Sequence, residues 1–286
     1  MKRLIAFLLT GLLIAASLGA QTSVWEISRD GKILYLGGSL HILREEDYPL
    51  PAAFDRALER ADIAVFEADI GEMETPEFAE KMMYEMILPE EDTLYDLLSP
   101  ETFEQLALLC ESFEIPIDQL IYFKPPLVTN ILTLFQMESA GLDAPGVDLY
   151  VFAAAEMEEK QLGYLESTDF QIDLLANEGM GFEDEYISSF IAEWDTALDD
   201  TFSLLSAWET GDGKAVDSML RKMYQQSPQS YETMIAERNR NWLPLIEEYL
   251  NGEETAFVVV GLAHMYGPDG LLAELNSLGY HIRQAR

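Results

Sequence analysis

Two kinds of hydrophobic spacing alternate along this chain. Short runs of β-branched and apolar residues at 24–28, 33–36, 63–67, 161–166, 257–260 and 280–282 predict strands. Between them, apolar positions recurring every three or four residues predict helices. Asp30-Gly31 separates the first two runs and predicts a hairpin, because both turn positions need positive φ. Pro89, Pro100, Pro116 and the pair Pro125-Pro126 cut residues 72–140 into several helices, which read as an insertion or cap over the sheet. Gly146-Val147-Asp148 opens a helix reaching Lys160, and acidic amphipathic helices fill 169–249 with a break at Gly211-Asp212-Gly213.

Two of the strand runs end alike. Gly38-Ser39-Leu40-His41 and Gly261-Leu262-Ala263-His264 each place a histidine three residues after a glycine, just past an apolar strand and before a helix. Open α/β sheets keep their ligand sites at that end of the strands. The expected fold is therefore mixed α/β (α+β). A central mixed β-sheet comes from two related halves, each carrying a strand–Gly-x-x-His–helix unit, under a large helical cap at about 72–140.

Composition narrows the function. The chain has 286 residues, 49% of them hydrophobic, which suits one large domain over residues 21–286. Residues 1–20 read as a signal peptide: a basic Met1-Lys2-Arg3, an apolar stretch, then the small-residue site Leu18-Gly19-Ala20. No later stretch approaches the ~20 apolar residues that cross a bilayer. The expectation is an exported protein, periplasmic or extracellular, with no membrane span after cleavage. A net charge of −35 argues against nucleic acid and anionic membranes and draws cations inward. Cys110 is the sole cysteine, so no intramolecular disulfide forms; Leu106, Leu109 and Phe113 at helical spacing make it a small buried hydrophobe.

The candidate chemistry lies at the strand ends. Glu67 and Glu166 each close a predicted strand, as His41 and His264 follow one. If these strands are parallel neighbours, all four side chains share one rim. Two imidazoles with one or two carboxylates suit a divalent transition metal, manganese, zinc, cobalt or iron. The motif glycines, lacking Cβ, permit a sharp turn and close backbone approach. The plainer alternative makes each histidine a hydrogen-bonded loop residue and each acid a solvated strand end. Arg238 falls on the apolar stripe Ile235, Trp242, Leu245, Tyr249, with Asn239 bordering it. A buried arginine needs a partner, either a carboxylate ligand or substrate carbonyl, or a structural ion pair with an acid such as Asp148. Pro244 is expected to bend or restart that helix. His281 reads as structural, and Met82, Met83, Met86, Phe123 and Phe135 as packing. No Gly-x-Ser-x-Gly elbow, His-Glu-x-x-His or phosphate-cradling loop occurs, which sets aside serine–histidine hydrolases and nucleotide enzymes.

Trp25-Glu26-Ile27 with Leu34-Tyr35-Leu36-Gly37-Gly38-Ser39-Leu40-His41 resembles the opening of the TraB/GumN family. Tyr48-Pro49-Leu50-Pro51, Phe66-Glu67, Gly146-Val147-Asp148, Gly163-Tyr164-Leu165-Glu166, Glu237-Arg238-Asn239 and Val260-Gly261-Leu262-Ala263-His264 continue it in order. Only the first motif departs, reading Gly-Gly-Ser where Leu-Gly-Ser or Leu-Gly-Thr is expected. The family resembles the Tiki proteins, described as metal-dependent proteases that act through two Gly-x-x-His motifs and an acid. By that resemblance His41 and His264 are metal ligands, Glu67 and Glu166 are ligand or general base, and Arg238 and Asn239 position substrate. The leading expectation is an exported metal-dependent hydrolase, a peptidase acting on a peptide or protein with a metal-activated water. The alternatives are a non-catalytic binder of a metal or haem-type ligand, and a regulatory protein that grips a partner through residues 72–140.

Overall fold

The computed structural model describes residues 22–285; the expected signal peptide, 1–20, lies outside them. Strands β1 (Val24–Arg29) and β2 (Lys32–Ser39) form an antiparallel hairpin. Asp30 and Gly31 sit at its turn with φ of 53° and 82°, as their sequence predicts. The two-residue β3 (Ile42–Leu43) leads to α1 (Ala53–Arg60) and β4 (Ile63–Phe66). Five helices follow: α2 (Ile70–Met73), α3 (Pro76–Glu85), α4 (Leu94–Leu97), α5 (Pro100–Ser112) and α6 (Pro125–Ser139). Proline stands in the first turn of α3, α5 and α6, where its missing N–H costs nothing.

The short β5 (Ala144–Pro145) pairs with β3 and is followed by α7 (Val147–Met157), β6 (Gln161–Tyr164) and α8 (Thr168–Ala176). Then come α9 (Glu183–Thr210), α10 (Lys214–Gln226) and α11 (Pro228–Tyr231). A π-helical turn at Glu232–Ala236 runs into α12 (Glu237–Asn251). The chain finishes with β7 (Ala256–Gly261), α13 (Leu271–Ser277) and β8 (His281–Gln284).

The sheet is mixed, in the order β6-β4-β7-β2-β1-β8. Strands β6, β4, β7 and β2 run parallel, while β1 is antiparallel to both β2 and β8. Residues Ala256 to Val260 of β7 are all buried, the continuous apolar run of a strand covered on both faces. The two Gly-x-x-His units thus arise on neighbouring parallel strands, with Ser39 opposite Gly261.

Two hydrophobic cores result. The larger packs Phe54, Phe66, Trp208, Trp242 and Phe257 around the sheet. The smaller belongs to the cap and gathers Leu94, Leu106, Cys110, Val128, Leu132 and Ile187. Ile187 comes from α9, so the cap draws in a helix from beyond 72–140. At 28 residues and ~1.5 Å per residue, α9 extends for roughly 40 Å. Its first turns close the cap core through Ile187, Phe190 and Trp194; its last bury Leu205 and Trp208 in the sheet core.

Two expectations are corrected. Helix α12 is continuous through Pro244 and does not restart there; the proline forgoes a hydrogen bond to the carbonyl of solvent-exposed Arg240. Helix α3 buries none of its residues, so Met83 is exposed, as is Phe135 on α6; Met86 is buried and Phe123 packs part-buried against the cap core, as expected. Spacing alone did not say which face a neighbour would cover. Among the described residues, no helix is long and apolar enough to cross a membrane.

Candidate functional site

Because β2, β7, β4 and β6 are parallel neighbours, His41, His264, Glu67 and Glu166 all emerge at one rim, the arrangement their strand-end positions implied. The motif glycines act through space, not through a turn. Gly261 has ordinary extended backbone, φ −52° and ψ 138°. Its N–H donates to Glu67 Oε1 at 2.6 Å, and a Cβ would lie 3.3 Å from that oxygen. A Cβ on Gly38 would meet Leu262 and Met265 at 2.7 Å.

His264 is buried and held from both sides. The Asn239 side-chain amide donates to the carbonyls of His264 (3.1 Å) and Asp269 (2.7 Å), which fixes its orientation. Its Oδ1 therefore faces His264 Nδ1 at 2.8 Å and accepts that nitrogen's hydrogen. The Nε2 lone pair is left inward, where Arg238 Nη1 donates to it at 3.0 Å. Burial pushes His264 down to about 3, against Glu67 and with Arg238 and His41 adding to the fall, so the ring is neutral at neutral pH.

Arg238 is the hub behind this rim, and its partners are neither Asp148 nor solvent. Nη2 donates to Glu67 Oε2 at 2.5 Å and to Glu166 Oε1 at 2.7 Å, and Nε donates to Glu166 Oε2 at 3.2 Å. Nη1 also reaches the Met234 carbonyl at 3.2 Å, in the π-helical turn. One helical turn along α12, the Trp242 ring lies 4.5 Å under the guanidinium and donates Nε1–H to Glu166 at 2.9 Å. Gln171 on α8 donates to Glu166 Oε1 at 3.0 Å. Burial alone would raise the Glu67 carboxyl. His264, Arg238 and His41, with the Gly261 N–H, outweigh burial and hold it at about 2.

His41 has a separate partner. Its Nδ1–H donates to Asp148 Oδ2 at 2.6 Å. Asp148 sits in the first turn of α7, where its N–H donates to Ser39 Oγ at 3.2 Å and the Val147 N–H to the Leu40 carbonyl. A Cβ on Gly146 would lie 2.5 Å from the His41 carbonyl, so only glycine lets the two segments approach. The Asp148 hydrogen bond raises His41 to about 9, with the Asp148 and Glu67 charges adding, although the ring itself is largely exposed. Asp148→Asn is therefore expected to return the His41 pKa from about 9 towards 6.5, read by NMR titration of the ring. An unmoved pKa would break the pairing. Asp148 is the site residue that sequence reasoning missed: its Gly-Val-Asp setting was visible, but it entered only as an example of an acid that could pair with Arg238.

A cavity of about 340 Å³ opens in front of the rim, lined by His41, Glu67, Ile70, Met73, Asp148 and Gly261 among others. The site is layered. His41, Asp148 and Glu67 face the cavity, while His264, Arg238, Glu166 and Asn239 stand behind Glu67 and do not line it.

The model of the TraB/PrgY/gumN family matches residues 23–284, a span containing both Gly-x-x-His motifs and every member of this network. The chain belongs to the TraB/PrgY/gumN family. It is similar to the uncharacterized protein YbaP of Escherichia coli (strain K12) and to that of Shigella flexneri. Each is 26% identical over 243 residues, covering 83% of this chain and 85% of the relative. No solved structure matches the chain.

In this TraB/PrgY/gumN protein the two motif histidines are held alike. Each imidazole has Nδ1 held by an acceptor oxygen, Asp148 or Asn239; Nε2 of His264 takes a hydrogen bond from Arg238, and that of His41 is protonated at neutral pH. Holding Nδ1 in this way is the outer-shell pattern of metal-bound histidines, and Glu67 adds a carboxylate. In this conformation Arg238 occupies two of those donors, His264 Nε2 and Glu67 Oε2. Among the described residues, no three His, Cys, Asp or Glu side chains stand together as a closed metal-holding set.

Proposed function

We propose that the rim is the active site of a metal-dependent hydrolase acting on a peptide or protein. The observation that carries this reading is the matched pair of imidazoles on adjacent parallel strands. Each is pinned through Nδ1, and both lie beside a carboxylate kept ionised. His41, His264 and Glu67 would hold a manganese, zinc, cobalt or iron ion, which when bound polarises a carbonyl and activates water.

The protein's own groups divide the remaining work. Of the two acids at the strand ends, Glu67 faces the cavity and is the one placed to bind the ion or take a proton from water. Glu166 lies behind it, with both oxygens given to Arg238, Trp242 and Gln171, and acts as a positioning residue. Arg238 keeps Glu67 ionised and Asn239 fixes the His264 tautomer; neither reaches the cavity, so they too position. Ile70, Met73 and Phe66 give the cavity an apolar wall that holds substrate and limits water. Export to the periplasm or cell exterior belongs to the same proposal.

The test is metal content of protein purified without chelator, beside His41→Ala and His264→Ala, followed by a peptide-library digest. Near-stoichiometric metal and cleavage, both lost in the folded variants, are expected. A metal-free wild type whose melting point no metal shifts would overturn the reading, as would undiminished cleavage in the double variant. Bound metal without cleavage of any peptide would leave a binding protein in place of an enzyme.

A further inference from the structure

We propose that the groove between α9 and α10 is a docking site for a basic amphipathic helix of a partner protein. The groove measures about 640 Å³ and shares no lining residue with the cavity at the rim. Its use is therefore independent of the chemistry there. The long wall is one face of α9. Phe182, Tyr186 and Phe190 recur every fourth residue, and Ala197, Thr201 and Leu204 continue the stripe. At ~1.5 Å per residue this face runs for roughly 33 Å. The facing wall is shorter. Helix α10 presents Ala215, Met219 and Met223 at the same spacing and ends at Gln226, whose side-chain amide donates to Glu193. The aromatic end of the α9 stripe lies beyond that point, with Phe182 37% exposed. Two helical walls of unequal length leave a seat for the i, i+3/i+4 and i+7 side chains of a third helix. The two methionines make part of that seat adaptable.

Charge selects the occupant. Four acids, Glu178, Glu185, Glu193 and Asp200, line the groove, and Lys222 is the one base among its lining residues. Lys222 already shows how a cation sits there, its ammonium 3.2 Å from Glu193 and 3.4 Å from Asp200. Glu178 and Glu185 stand at the other end, around the start of α9. Burial holds the Glu178 carboxyl above the usual carboxylate range, against the pull of its Tyr186 hydrogen bond. A partner's cation beside it would make up for the lost solvent. A second copy of this chain is a poor occupant, because a net charge of −35 repels its like. The same field draws in a helix that carries lysine or arginine beside an apolar stripe.

The probe is a synthetic helical peptide of about 14 residues, roughly 21 Å long, with leucine on one face and lysine on the other. One control scrambles its order; a second keeps the pattern with glutamate for lysine. Binding is followed by anisotropy of the labelled peptide. An environment-sensitive dye on Ser218→Cys reports separately from inside the groove, since Cys110 is buried and leaves the new thiol as the accessible one. The patterned Leu/Lys peptide is expected to bind and shift the dye, and both controls to bind about tenfold more weakly or worse. Phe182→Ser removes an aromatic anchor at the N-cap of α9, a position that favours serine. Glu185→Lys/Asp200→Lys reverses two exposed groove charges. Each is expected to weaken binding about tenfold. Glu104→Lys/Glu111→Lys, the same charge change at exposed positions of α5, is expected to weaken it less than about threefold. Equal losses in the two double variants would overturn the docking site, because the peptide would then answer only to overall charge. A control peptide that binds as well as the patterned one, an unmoved dye, or no binding of the probe would also overturn it. Should a groove variant not fold, the dye and the peptide controls decide by themselves.

Discussion

Arg238→Ala is expected to destabilise metal-free protein by about 3–5 kcal/mol, the cost of breaking a buried ion pair from one side. The substitution leaves Glu67 and Glu166 facing each other in a buried space without their common cation. It also orphans the His264 Nε2 lone pair and takes the side-chain donor from the Met234 carbonyl. The lost packing of the guanidinium on Trp242 adds to this. Urea unfolding of wild type and variant measures the effect directly. Much of the loss should be recovered in Arg238→Ala/Glu166→Gln, because the second change removes one of the two stranded charges. A single-variant loss below about 1 kcal/mol, the range of an exposed pair, would mean that the network is solvated and not the anchor of the rim.

The second large effect is acid lability. Glu67 falls from an ordinary 4.5 to about 2 and His264 from 6.5 to about 3. In both cases the unfolded chain binds protons at a pH where the folded one does not, so stability rises with pH across those windows. Read downwards, the His264 contribution is fully present above 6.5 and is lost as pH falls towards 3. That of Glu67 is present above 4.5 and is lost towards 2. The two titrate as neighbours, so together they are worth on the order of 3–5 kcal/mol and not the sum of separate shifts. His41 acts at the other end: its contribution is complete below 6.5 and fades as pH rises through about 9, and it is smaller because the ring is largely exposed. Melting temperature against pH should therefore peak near 6.5 and drop steeply on the acid side. Neutralising the many surface carboxylates would relieve repulsion and push the other way, so the decisive comparison is with variants. His264→Gln should flatten the limb between 6.5 and 3, and Glu67→Gln the limb between 4.5 and 2. If neither variant changes the shape of the curve, these two groups are not what acid undoes.

The strands and their shared rim were legible because they depend on local periodicity. Two Gly-x-x-His units and two strand-end acids needed only the condition that their strands run parallel side by side, and the order β6-β4-β7-β2 meets it. Arg238 was visible for the same reason, as a charge on an apolar stripe. What stayed hidden was pairing across the chain. His41 and Asp148 are 107 residues apart, and Arg238 and Glu67 171 apart. Which acid meets which base follows from strand order and helix placement, and neither is encoded in spacing. The same gap covers Asp148, which entered only as an example of an acid that could pair with Arg238, one alternative among several, yet α7 delivers it to His41. Pro244 does not restart its helix for a different reason, since a helix exposed at that turn tolerates the missing N–H.

The long α9 helix makes the cap and the sheet thermodynamically one object. A cap whose hydrophobic residues all came from 70–140 could melt, or be cut away, while the sheet stood. Here the cap core is closed by Ile187, Phe190 and Trp194, on the same continuous helix that buries Leu205 and Trp208 against the sheet. Losing the cap strips those aromatic turns of their cover, and fraying α9 from that end propagates towards the floor of the rim. The two cores are therefore coupled in their unfolding, and the cap cannot serve as an exchangeable module in the way a loop insertion with its own closed core can.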